Sequence, residues 1–194
     1  MVGILQLKSW MESNYDFLTE EDIEYFRPFL AERTIRKDEF LLEAGHFCRE
    51  MSFVLSGAFR MFCQSEGKEI NVIFFLENEF IVDPDSFFGH NPARNSIQAL
   101  EDATVVTFSH DVLISAYNRS KNWERLGRLL TQESLAKVSG RLEKLLFMSG
   151  KERYLHMMRE QPELLSRVPL YHLASYLGME RESLSRIRQC IGRR

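Results

Sequence analysis

Between positions 170 and 189 the chain reads Leu-Tyr-His-Leu-Ala-Ser-Tyr-Leu-Gly-Met-Glu-Arg-Glu-Ser-Leu-Ser-Arg-Ile-Arg-Gln. Arg181, Glu182, Ser185 and Arg186 fall one helical turn apart in pairs, 181 with 185 and 182 with 186, so a helix places all four on one face. The chemistry of that face is hydrogen bonding to base edges. Arginine meets O6 and N7 of guanine with two parallel donors, glutamate accepts from N4 of cytosine, and an α-helix fits the major groove. Arg188 adds a further cation to the same segment.

Such a face works only if a second helix holds it. Small Ala174 permits close helix approach, Gly178 four residues later can take the positive φ of a sharp turn, and Leu173, Leu177, Met179, Leu184 and Ile187 are spaced to bury both helices against each other. The pattern is that of a helix-turn-helix. A surface helical hairpin with arginine and glutamate paired in solvent is the alternative, because short Ala…Gly matches recur by chance.

Upstream, Leu126, Leu130, Leu135, Val138, Leu142 and Leu145 recur at helical spacing in a segment rich in Lys, Arg and Glu, which predicts one long amphipathic helix over 121–149. The 3-4-3 spacing from Leu135 to Leu145 is a heptad seam able to join two copies of the chain, although covering an adjacent barrel would require the same stripe. Gly150 breaks the pattern, and short helices are expected over 152–159 and 162–189, with Pro162 and Pro169 marking starts.

From Arg33 to Ser109 the period is two: Met51, Phe53, Leu55, Phe59, Met61 and Cys63 alternate with other residues, as do Ile70, Val72, Phe74 and Leu76. Gly57 and Glu66-Gly67 are expected to make tight hairpin turns, giving a small antiparallel barrel or jelly roll. Before it, Thr19-Glu20-Glu21-Asp22 followed by Ile23, Phe26, Phe29 and Leu30 predicts a capped helix.

Composition sets the outer bounds. The 194 residues are 44% hydrophobic and 27% charged, a globular mixture. No apolar run approaches the roughly 20 residues of a membrane span, and residues 1–10 lack the pattern of a signal peptide, so a cytoplasmic location is expected. Cys48, Cys63 and Cys190 are far apart, His46, His90, His110, His156 and His172 never fall at HxH or HExxH spacing, and phosphate-loop and nucleophile-elbow motifs are absent, which leaves no expected metal, cofactor or catalytic site. The net charge of −3 hides a division: residues 1–120 carry 10 basic and 20 acidic side chains, and residues 121–194 carry 15 basic and 8 acidic. A basic C-terminal part beside an acidic module suits a polyanion partner, although segregation of charge on solvated faces gives the same count.

With these elements in order, the sequence resembles the Crp/Fnr family, the cyclic-AMP receptor protein and its relatives, over nearly its whole length. Three stretches carry the resemblance. Residues 40–45, Phe-Leu-Leu-Glu-Ala-Gly, and 52–57, Ser-Phe-Val-Leu-Ser-Gly, look like the family's paired strands with a glycine turn. Gly67-Lys68-Glu69 leads through Phe74-Phe75 and Glu79-Phe80 to residues 87–101, where the family places its phosphate-binding cassette. Residues 178–187 are similar to its recognition helix, with the Arg-Glu-x-x-x-Arg trio on Arg181, Glu182 and Arg186.

The resemblance implies an α+β chain: an N-terminal double-stranded β-helix or jelly roll of the cyclic nucleotide-binding type at 1–120, a dimerisation helix at 121–149 and a helix-turn-helix domain at 150–194. It implies a homodimeric, sequence-specific regulator of transcription, not an enzyme, with double-stranded DNA and RNA polymerase as partners and a half-site like the family's TGTGA. Three departures qualify it. The cassette's ribose-binding Gly-Glu appears as Val82-Asp83 and its phosphate-binding arginine as Arg94-Asn95; with Ser139 these would line any ligand pocket. The cysteine set of iron–sulfur relatives is missing. The sequence ends at Ile191-Gly192-Arg193-Arg194, where the family adds a hairpin wing, and Glu180 stands where Ser or Thr would cap the recognition helix. A receptor for a small-molecule effector that controls DNA binding, a cupin-like enzyme built on the barrel, and a protein-interaction module are the rival readings.

Overall fold

A computed structural model describes residues 2–192 of the chain. Arg193 and Arg194, on which the expectation of a missing wing partly depends, lie outside the described residues. The chain separates into two compact units, residues 1–61 with 74–131 and residues 62–73 with 132–194.

The first unit begins with α1 (Val2–Asn14), a helix outside the sequence reading, which buries Leu7 and Met11 one turn apart. Then comes α2 (Glu20–Phe26), started as expected by Thr19: its hydroxyl accepts from the Asp22 amide while the Asp22 carboxylate accepts from the Thr19 amide, a reciprocal pair that satisfies two donors of the first turn. A 3-10 turn at Arg27–Phe29 leads into β1 (Ala31–Ile35), β2 (Phe40–Leu42), β3 (Glu50–Ser56), β4 (Phe59–Ser65), β5 (Lys68–Phe75), β6 (Phe80–Ile81), α3 (Pro84–Gly89), β7 (Ser96–Ala99) and β8 (Ala103–Ser109). These strands form two four-stranded sheets, ordered β1-β8-β3-β6 and β2-β7-β4-β5. Of the period-two residues, Phe53, Leu55, Phe59, Met61 and Phe74 are buried, Phe53 in register with the fully buried Val106, whereas Ile70 is 42% exposed and Met51, Cys63, Val72 and Leu76 are half-buried.

Two expectations about pairing are corrected. The turn at Gly57 is not a hairpin, because β3 and β4 belong to different sheets and the chain crosses from one to the other there. Glycine is required at this crossing: φ is +99°, and an added Cβ would come within 2.4 Å of the Ala103 Cβ and 2.7 Å of its Cα. Nor do 40–45 and 52–57 form a pair of strands with each other, since β2 pairs with β7 while β3 pairs with β8 and β6. The Glu66-Gly67 turn does join neighbouring strands, with both residues at positive φ, the geometry of a two-residue hairpin.

After α4 (His110–Arg119), the predicted long helix is α5 (Lys121–Phe147). Its apolar stripe performs two jobs. Trp123 and Leu126 are buried in the first unit's core with Phe26 and Phe108, and the Trp123 Nε1–H donates to the Asp22 carbonyl at 3.2 Å. Further along, Leu135, Val138 and Leu142 are 65%, 51% and 56% exposed.

The second unit holds the end of α5, α6 (Gly150–Glu160), α7 (Pro162–Arg167), α8 (Leu170–Tyr176) and α9 (Arg181–Gly192). Gly150 is not the breaker expected; it is the first residue of α6, and the break is made by Ser149, which caps that helix reciprocally with Glu152. The stretch 162–189 holds three helices, because the chain turns once more at Val168-Pro169.

Candidate nucleic-acid interface

The paired helices α8 and α9 are built from the residues that spacing singled out. Leu173, Ala174, Leu177 and Leu184 are buried, and Met179 and Ile187 half-buried, so the apolar sides of both helices face the interior. Between them the backbone turns at Gly178, at φ +65°, where the Gly178 amide donates to the Ser175 carbonyl and the Met179 amide to the Ala174 carbonyl. The positive φ selects glycine here, and a Cβ on Gly178 would also press on the Leu145 Cδ2 at 3.2 Å.

Burying Leu184 fixes which side of α9 looks outward. Arg181, Glu182, Arg186 and Arg188 are exposed and Ser185 is half-buried among them. Among the described residues, the Arg186 Nε–H reaches only its own helix, donating to the Glu182 carbonyl at 3.4 Å. The result is a rigid helix presenting two arginine forks and a carboxylate, the donors and the acceptor that base edges require.

Two supporting arginines escaped the sequence reading, because nothing local marks them. Arg153, on α6, closes the C-terminal end of α8 and the turn, donating from Nε to the Leu177 carbonyl at 2.8 Å, from Nη2 to the Gly178 carbonyl at 3.4 Å and from Nη1 to the Met148 carbonyl. Arg141, on α5, donates from Nη2 to the Tyr176 carbonyl at 3.0 Å and stacks 4.0 Å above the Tyr176 ring. Burial pulls its guanidinium below the usual range, and the contacts with Tyr176 oppose that shift.

The residues expected to line a ligand pocket are divided. Val82 is half-buried, Arg94 exposed and Asn95 half-buried in the first unit, whereas Ser139 is exposed on the part of α5 that belongs to the second. Asp83 is buried and its carboxylate is already engaged: one oxygen caps α3 by accepting from the Ser86 amide at 3.0 Å, and the other accepts from the Asn95 Nδ2 at 2.9 Å. In the same unit, the buried Arg60 donates from Nε and Nη2 to the Gln98 Oε1, and Gln98 in turn donates to the Asp38 carbonyl. This polar chain also escaped the sequence reading, since its members lie 38 and 60 positions apart. Among the described residues no group of three His, Cys, Asp or Glu side chains is placed to hold a metal ion, and the three cysteines are unpaired thiols.

Comparison with known proteins adds a domain match and a set of structural neighbours. Residues 32–120 match the cyclic nucleotide-binding domain. That match spans 89 of the 194 residues. No curated protein matches the chain by sequence. Among solved structures it is similar to FixK2 from Bradyrhizobium japonicum, at 20% identity and TM-score 0.73, with 84% of each chain covered. It is also similar to CLP, a c-di-GMP responsive global regulator of Xanthomonas campestris, at 19% identity and TM-score 0.68, with 90% of this chain and 92% of that one covered. The Thermus thermophilus catabolite activator protein matches at 18% identity and TM-score 0.58, over 92% of this chain and 86% of that one. The cyclic nucleotide-binding domain followed by helices therefore has the fold of the Crp/Fnr regulators. These neighbours are regulators rather than enzymes, and no helix among the described residues is long and apolar enough to cross a membrane.

Proposed function

We propose that the chain is a sequence-specific, DNA-binding transcription regulator of the Crp/Fnr type that acts as a cytoplasmic homodimer. The observation that carries this reading is the outward face of α9, with Arg181, Glu182 and Arg186 exposed on a helix whose other side is locked by buried Leu184. Arg181, Glu182 and Arg186 contact bases, with Ser185 and Arg188 beside them. The unpartnered stripe of Leu135, Val138 and Leu142 supports pairing of two copies, which would place two such helices in successive major grooves. Selection of bound duplexes from a random pool tests the proposal. The expected product is an inverted repeat with half-sites about one helical turn apart. Recovery of unrelated sequences, or none, overturns it.

Control by a bound cyclic nucleotide is the second reading, favoured by the domain match at 32–120. Against it stands the Asp83–Asn95 hydrogen bond, which uses the polar groups a ribose would need. The effector-independent form is therefore preferred, and millimolar cyclic AMP or cyclic GMP is expected to leave the thermal unfolding midpoint unchanged; an upward shift growing with nucleotide concentration would reverse the preference.

A further inference from the structure

The end of the β4–β5 hairpin lies in the same compact unit as the helix-turn-helix. β5 is the outermost strand of its sheet, so along one side its backbone groups have no neighbouring strand to pair with. Three of these groups find partners among the helices. The Ser175 hydroxyl donates to the Glu69 carbonyl at 2.9 Å and accepts from the Asn71 amide at 3.0 Å, and Arg141 Nη2 donates to the Asn71 carbonyl at 3.1 Å while also serving the Tyr176 carbonyl. The Asn71 side chain completes the knot, its Nδ2 lying 3.2 Å from His172 Nδ1. His172, Ser175 and Tyr176 lie on one flank of α8, so a single strand edge holds the first helix of the pair along its length.

This knot is polar where apolar packing would have been available. Asn71 is only 1% exposed, yet its Oδ1 and the Arg141 Nη1 are buried without hydrogen-bond partners. Leaving such atoms unmatched is unfavourable, and an apolar replacement of similar shape avoids that term, so the cluster is better suited to fixing one geometry than to adding stability. The geometry it fixes leaves the reading face open, with Arg181, Glu182 and Arg186 exposed while the hairpin is in place. The hairpin also sets Lys68 Nζ 3.0 Å from the Glu180 carboxylate, just ahead of α9, offsetting a negative charge that would otherwise meet DNA phosphates.

We propose that the outer edge of β5 is a strap that sets the orientation of the helix pair for base reading, with Asn71, Ser175 and Arg141 as positioning residues. The proposal deepens the DNA-reading function and rests on it. Loss of the strap loosens orientation without removing any group that touches DNA, so discrimination falls while phosphate-driven binding persists.

Ser175→Ala and Arg141→Lys test this without changing net charge. Titration of the full-length protein against the selected inverted repeat and against a scrambled duplex is expected to show about tenfold weaker binding to the first and less than about twofold change on the second. Hydrogen exchange without DNA provides a readout independent of the function: amides of α8 and α9 are expected to exchange faster in both variants while the global unfolding midpoint stays close to that of the parent. Equal losses on both duplexes, unchanged binding, tighter binding, or unchanged exchange would each overturn the strap. Failure of the parent protein to discriminate between the duplexes would instead overturn the DNA-reading function, and the exchange result would still decide the strap.

Discussion

Arg186 and Arg188 are both exposed cations on α9, but they differ in what they can do. Arg186 lies one turn from Glu182, within the cluster proposed to face a groove, while Arg188 lies two turns beyond Arg181, past the N-terminal part of the helix that reaches base edges in such a docking. Replacing Arg186 by Ala is expected to cost about 1–3 kcal/mol on the selected repeat with little change on random duplex, whereas Arg188→Ala should weaken both alike and reduce the salt dependence. Equal losses for Arg186 on the two duplexes would make it a phosphate contact. The outward face of α9 was legible in the sequence because it is local: the spacings that bury Leu184 also leave Arg181 and Arg186 exposed. Arg141 and Asn71 were not legible, because they lie 70 positions apart and meet only in the folded chain.

Asp22 shows how one element positions another. Burial alone would raise its pKa, but hydrogen bonds from Ser120, Asn122 and Thr19 prevail and hold it at about 2. Through Asn122, whose Nδ2 donates to the Asp22 carboxylate at 2.8 Å, and Trp123, the start of α5 is tied to α2. A depressed carboxylate pKa means that the folded form gains stability from the ionised group. That gain is complete above the ordinary value of about 4 and is lost as pH falls toward 2. Asp22→Asn is therefore expected to cost about 2 kcal/mol at neutral pH, with the gap to the parent narrowing as the denaturation is repeated at pH values from about 5 down to 2. A gap independent of pH would assign the loss to packing. The capping pair of Thr19 and Asp22 was readable from four consecutive residues. The sheet assignment was not, because a glycine after a strand looks the same whether the chain folds back, as at Gly67, or crosses to another sheet, as at Gly57. Helix α1 did leave a trace in the burial spacing of Gly3, Leu7 and Met11, but apolar Ile4, Leu5 and Trp10 at the positions between them blur it.

For the molecule as a whole, the question is what covers the second half of α5. Leu142→Glu together with Val138→Glu would place four carboxylates in a paired seam, and sedimentation at micromolar concentration is expected to show a single chain where the parent shows two. Binding to the inverted repeat should fall far more than binding to one half-site. If the double variant sediments as the parent does, the pairing surface lies elsewhere. The contrast between Leu126, sealed in a core, and Leu142, open to water, was foreshadowed by a stripe that continues beyond what one barrel needs.

If two copies do pair through so short an apolar stripe, as proposed, abundance is itself information. Well below the pairing constant, doubling the number of chains quadruples the number of twofold complexes, so occupancy of a symmetric operator rises more steeply than expression does. Cells could then tune the response by synthesis and turnover alone, without any diffusible signal.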